Sequence, residues 1–124
     1  MNGRFLLDTN AVVALLNGNL RIAELLKPAT WVGISIITEL EFLSFSGLTP
    51  DDEALFRTFR DRVDVIDLQA ADSTLLAQIV SIRKSGRHKM PDAIIAASAI
   101  HGGATLLTQD QGFSKISGLL VQAF

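Results

Sequence analysis

The chain has 124 residues, 48% apolar and 19% charged, with a formal net charge of −2. That length suits a single domain spanning residues 1–124, and the composition is too apolar for a disordered segment. The absence of cysteine excludes a disulfide framework, a thiolate zinc site and a cysteine nucleophile, and the slight acidity argues against a general nucleic-acid coat protein.

The opening "RFLL" reads as a short buried strand, and "TNAVVALL", set off by Asp8 and closed by Gly18, reads as a helix. "NLRIAELLKP" follows as a second helix, with Ile22, Leu25 and Leu26 on one face and Pro28 past its end. The β-branched run "WVGISII" predicts a strand, and "TELEFLSF" a helix that stops at Gly47. Thr49 as cap, Pro50 at the first helical position and acids in the first turn start a helix in "TPDDEALFRTFRDR". "VDVIDL" alternates as a half-buried strand does, and "AADSTLLAQIVSIRKSG" is an amphipathic helix closed by Gly86. Pro91 starts a further helix through Ile100, which Gly102 and Gly103 end, and "ATLLT" and "LLVQAF" are the closing strands.

Strands separated by helices predict an α/β domain with a mainly parallel sheet. The longest apolar stretch, "AIIAASAI", is well short of the ~20 residues that span a bilayer. The N-terminus has no basic segment leading into a long apolar run. A cytoplasmic protein with no membrane association is therefore expected, its apolar excess leaving surface for self-association or a protein partner.

In such sheets functional groups gather beyond the carboxyl ends of the strands. Asp8 directly follows the first strand, Glu39 and Glu41 open the helix after the second, Asp92 is placed second in the helix begun by Pro91, and Asp110 follows "ATLLT" by two residues. Each also has a plain structural reading. Asp8 caps its own helix, Thr38-x-x-Glu41 forms a capping box, Asp92 favours a helix dipole and Asp110 makes a turn. Asp92 fits its plain reading least well, because the apolar helix behind it implies burial, and a buried unpaired carboxylate costs several kcal/mol. Clustered carboxylates also oppose one another's ionisation, which Mg²⁺ or Mn²⁺ relieves through hard oxygen ligands. A metal held by acids suits phosphodiester hydrolysis, since it makes hydroxide from water and stabilises charge at phosphorus.

The segments "LLDTNAVVALL", "ISIITELEFL", "MPDAIIAASAI" and "LLTQDQGF" are similar, in order and spacing, to the four motif blocks of PIN-domain ribonucleases, including the small VapC-type toxins of toxin–antitoxin pairs. The resemblance runs from Leu6 to Phe113. It implies a three-layer α/β/α sandwich with a mainly parallel central sheet, Mg²⁺- or Mn²⁺-dependent endoribonuclease activity, a homodimer and a cognate antitoxin. Asp8, Glu41, Asp92 and Asp110 match the family's acids, with Asn10 orienting Asp8 or a water and Thr108 as a hydrogen-bonding neighbour. Glu39 competes with Glu41, but residues two apart on a helix diverge by ~200°, so Glu41 is preferred. Many relatives carry another acid directly before the phenylalanine of the fourth block, where this chain has Gly112 before Phe113, so Asp110 serves without that neighbour.

The basic run "RKSGRHK" supplies Arg83, Lys84, Arg87 and Lys89 as contacts for RNA phosphates or an acidic antitoxin tail; its plain reading is a solvated helix end. His88 and His101 read as surface or satisfied residues. Trp31, Phe42, Phe45, Phe56 and Phe59 stand at core-like spacing, with Phe42 and Phe45 alternatively forming a partner groove. Two rivals to a nuclease are an idle PIN scaffold that binds RNA or protein and a phospho-receiver module built on Asp67. The receiver wants paired acids after its first strand, where this chain has Asp8 alone.

Overall fold

Leu6 points to one side of the central sheet and its neighbours Phe5 and Leu7 to the other, and all three are buried. That alternation follows from the two-residue period of a strand, and here both faces are covered. The computed structural model describes residues 3–124. In chain order the elements are β1 (Arg4–Leu7), α1 (Thr9–Leu16), α2 (Leu20–Leu26), β2 (Trp31–Ser35), α3 (Ile36–Leu43), α4 (Pro50–Arg60), β3 (Asp64–Ile66), α5 (Ser73–Ser85), α6 (Met90–His101), β4 (Thr105–Leu107), a 3₁₀ turn (Gln111–Lys115) and β5 (Val121–Gln122).

The strands lie in the order β3-β2-β1-β4-β5, all parallel, with Leu6 opposite Gly33 on one side and Leu106 on the other. On the Leu6 face, α5 and α6 supply Leu75, Ile79, Ile82, Ile94 and Ile95. Residues 93–99 of α6 are buried throughout, and the small side chains of Ala93, Ala96, Ala97 and Ala99 let this helix lie close to its neighbours. Its one buried hydroxyl is satisfied, since Ser98 Oγ donates to the Ile94 carbonyl at 2.7 Å. On the other face, Val12, Ile22, Phe42 and Phe56 pack over Phe5, Leu7 and Ile34, with Phe42 and Phe56 stacked at a centroid separation of 4.7 Å. The result is the three-layer α/β/α sandwich.

The local signals mostly act as expected. Thr49 and Asp52 form a reciprocal capping box at α4, Asn19 caps α2, and Gly18 leaves α1 at φ +86°, a conformation that only glycine adopts cheaply. Differences arise where packing overrides propensity. Ile36 and Ile37 belong to α3, not to the strand, because Ser35 Oγ accepts from the Ile37 N–H and starts the helix there. Thr38 is consequently buried inside α3, so Thr38 and Glu41 do not form a capping box. Asp92 is the third residue of α6, which begins at Met90. The last strand shrinks to Val121–Gln122, and the short 3₁₀ turn at Gln111–Lys115 has no apolar periodicity to announce it. Phe45 is 46% exposed, unlike the buried Phe42 and Phe56.

Candidate functional site

Chain order reverses direction across the sheet between β1 and β4, which places a switch point where their carboxyl ends lie side by side. Asp8 follows β1 and Thr108 follows β4. The Asp8 N–H continues the ladder to the Leu107 carbonyl at 3.0 Å. Both side chains are buried, and Thr108 Oγ1 donates to Asp8 Oδ2 at 2.7 Å. Asp8 Oδ1 accepts from the Thr9 N–H at 2.8 Å, so this carboxylate caps α1 and faces the switch point at once. Asn10 staples the two loops together. Its Nδ2 lies 3.3 Å from both Asp8 Oδ2 and Thr108 Oγ1, and its Oδ1 accepts from the Gln109 N–H at 3.2 Å. Thr108 Oγ1 also accepts from the Asp110 N–H at 3.0 Å.

The two glutamates of α3 part company. Thr9 Oγ1 donates to Glu41 Oε1 at 2.6 Å, whereas Glu39 pairs with Arg60 Nε at 2.8 Å in a separate recess beside Leu43 and Phe56. Thr9 was not singled out in the sequence, although it stands directly after Asp8; only the approach of α3 to α1 gives its hydroxyl an acid to hold. Asp110 caps the 3₁₀ turn, its Oδ1 accepting from the Gly112 N–H at 2.9 Å. The Asp92 carboxylate has no hydrogen bond or ion pair among the described residues.

Asp8, Asn10, Glu41, Asp92 and Gln109 line an open cleft of about 580 Å³. A smaller cavity of about 210 Å³ adjoins it, with Asp92 common to both and with Asp110, Arg87, His88 and Lys89 on its walls. Asp110 therefore meets the other acids through Asp92. Of the basic run, Arg87 and Lys89 reach this cavity. Arg83 instead donates from Nη1 to the His88 carbonyl at 2.9 Å, and Lys84 is exposed and lines neither cavity. His88, read from sequence as a surface or satisfied residue, is half-buried in the cavity wall, while His101 Nε2 lies 3.5 Å from Asp72 Oδ2.

Burial raises the pKa of Asp8 above its ordinary value against the hydrogen bonds from Thr108 and Thr9, and Asp92 and Glu41 add to the rise. Asp92 is raised by burial first and then by Asp110 and Glu41, with Lys89 and His88 partly offsetting them. Among the described residues no three acids or histidines stand close enough together to enclose a cation as they are. The donor set is nevertheless oxygen only, mutually repelling and headed by an unpartnered carboxylate, which is the chemistry that a hard divalent cation fits.

Asp67, the residue on which a receiver module depends, follows β3 at the outer edge of the sheet and accepts from Gln69 Nε2 at 3.1 Å. One strand, β2, separates it from β1 and Asp8, against the receiver arrangement in which the two strands are neighbours.

A parallel α/β/α sandwich with acids gathered at its switch point defines the class of protein. The sequence matches the family model for the PIN domain over residues 5–119, and the chain belongs to that family. Solved structures with the same fold include VapBC2 from Rickettsia felis bound to a DNA fragment from their promoter, with a TM-score of 0.80, 24% identity and coverage of 97% of this chain and 98% of that one. Others are a toxin–antitoxin complex from Klebsiella pneumoniae (TM-score 0.76, 25% identity, 93% and 94% covered) and DNA-bound VapBC from Salmonella typhimurium (0.77, 23%, 97% and 97%). Comparison with curated protein sequences gives no significant match. Among the described residues no helix is long and apolar enough to cross a membrane.

Proposed function

We propose that the chain is a metal-dependent endoribonuclease and the toxin of a toxin–antitoxin pair, with Asp8, Glu41, Asp92 and Asp110 as the residues that hold Mg²⁺ or Mn²⁺. One observation carries the reading. Acids from β1, α3 and α6 face a single cleft, and Asp92 has no donor of its own among the described residues. A folded chain keeps such repulsion at a cost in stability, which a bound cation removes.

A divalent cation supplies acidification of a water molecule and neutralisation of charge at phosphorus. The chain's own groups bind and orient. Thr108 and the Thr9 N–H oppose the effect of burial on Asp8, Asn10 steadies that carboxylate, and the Thr9 hydroxyl aims Glu41. Thr9 carries the one hydroxyl among the described residues of the cleft lining and positions Glu41, and the attacking group in this reading is water. In-line attack by water leaves a 5′-phosphate and a 3′-hydroxyl.

The solved relatives are toxin–antitoxin complexes by name, which supports a protein partner here. A recess of about 290 Å³ with a mixed lining, apolar at Val13, Leu16, Phe42 and Phe45 and polar at Asn17 and Asp52, shares Val13, Asn17 and Phe45 with the acid cleft. An antitoxin segment seated there reaches the acids directly. Arg87 and Lys89 are its further contacts, or those of RNA. A homodimer and a cytoplasmic location complete the proposal.

The test is cleavage of RNA in Mg²⁺ or Mn²⁺ by the parent chain and by Asp8→Asn and Asp92→Asn, with calorimetric titration of Mn²⁺ alongside. Loss of cleavage and of Mn²⁺ uptake in both variants, with the fold retained, is expected; full activity in either removes the mechanism. The open spacing of the acids favours one alternative, an idle PIN scaffold. That alternative holds if the parent binds RNA yet neither takes up Mn²⁺ nor cuts.

A further inference from the structure

Residues 86–89 join α5 to α6, and Arg87, His88 and Lys89 among them wall the smaller cavity. This link is built, not loose. Arg83, in the last turn of α5, ties it down through the His88 carbonyl at 2.9 Å. The His88 ring folds back over Gly86, where a Cβ would lie 2.8 Å from Nε2. Gly86 is extended, at φ −156°, so its backbone does not call for glycine, and an added Cβ would meet only the far end of the His88 side chain. The charged ends of Arg87 and Lys89 have no ion pair or hydrogen bond among the described residues, although the Asp92 carboxylate lies near. Ordering the turn in advance means that these two cations are presented to a ligand at little further entropic cost.

An RNA strand carries one negative charge per nucleotide, and a cleft of carboxylates repels every phosphate except the one a bound cation receives. The next phosphate along therefore requires cations, and the cavity that shares Asp92 with the cleft supplies them. We propose that the 86–89 turn is a preformed subsite for the phosphate adjacent to the scissile one, contacted by Arg87 and Lys89, with Arg83 as a positioning residue that does not touch RNA. The identity of the ligand rests on the nuclease reading above.

The experiment measures binding of a short fluorescent single-stranded RNA to the whole chain by anisotropy, in a chelator so that nothing is cut, across a series of KCl concentrations. Arg87→Gln and Lys89→Gln should each weaken binding about tenfold and lower the slope of log Kd against log salt by about 0.7. Arg83→Gln should weaken it about threefold with the slope kept, because the cations remain but the turn is less ordered, and Arg83→Lys should restore it. Parent-like slopes in Arg87→Gln and Lys89→Gln would overturn the subsite. A slope lost in Arg83→Gln as fully as in Arg87→Gln would make Arg83 a contact and overturn its positioning role. Cleavage of the same RNA in Mn²⁺ is scored separately. A parent chain that never cuts, with the slope pattern intact, refutes the nuclease and leaves the phosphate subsite standing.

Discussion

Thr108 Oγ1 donates a 2.7 Å hydrogen bond to Asp8 Oδ2 across 100 residues of sequence, between two buried side chains. This bond joins the first and fourth strands at the point where the sheet changes direction, and it opposes the desolvation of Asp8. Thr108→Val leaves a buried carboxylate with one donor fewer and should cost about 1 to 3 kcal/mol in urea unfolding near neutral pH. Thr108→Ser should cost much less. Equal stability of Thr108→Val and the parent would mean that Asn10 or water replaces the hydroxyl fully.

Asp8 and Asp92 hold pKa values above the ordinary 3.8. Between that value and the raised ones the native chain binds more protons than the unfolded chain, so stability of the metal-free protein falls as pH rises through this window. Asp92→Asn removes one of the two groups. Thermal melts in a chelator should show a smaller loss for this variant than for the parent on going from about pH 4 to about pH 7. If Asp92 is one of the proposed metal ligands, added Mn²⁺ should reverse the order at the higher pH. A parent whose stability climbs steadily with pH in the chelator would contradict the raised values.

Glu39 and Glu41 are two residues apart and face different partners, Arg60 and Thr9. Glu41→Gln and Thr9→Val should each lower Mn²⁺-dependent RNA cleavage at least tenfold, while Thr9→Ser retains most of it. Glu39→Gln should leave turnover unchanged and alter stability little, since its guanidinium partner is exposed to water. Cleavage rates at saturating Mn²⁺ check all four variants. A Glu39→Gln enzyme as impaired as Glu41→Gln would exchange their roles.

Phe56 is 1% exposed and stacks on Phe42, which shapes both the recess and the α3 helix carrying Glu41. Phe56→Ala should destabilise the domain by about 3 to 5 kcal/mol through the cavity it leaves. Denaturant midpoints measure this, and Phe56→Leu should recover a large part.

Much of the candidate site's placement was legible in the chain itself, because acids just past strand ends are set there by element order alone. Asp8 after "RFLL" and Asp110 after "ATLLT" needed no coordinates to be suspected. The role of Thr9 was hidden, since its acid partner lies 32 residues away on a different helix. His88 was passed over for the same reason: nothing near it in sequence foretells that its ring lies on Gly86 in a wall shared with Asp92. Ile36 and Ile37 misled in a local way, their β-branched side chains reading as strand until Ser35 capped a helix beneath them.

Period, caps and turn residues are properties of a few neighbouring side chains, so the order of strands and helices, and the candidate acids Asp8, Glu39 or Glu41, Asp92 and Asp110, could be read from the sequence by itself. Which glutamate of α3 turns inward, which cations of the basic run reach the acids and which hydroxyl steadies Asp8 were decided only by tertiary structure. These are contacts between elements brought together by burying Leu6, Leu7 and Leu106, and no local energy term in the chain distinguishes one such pairing from another.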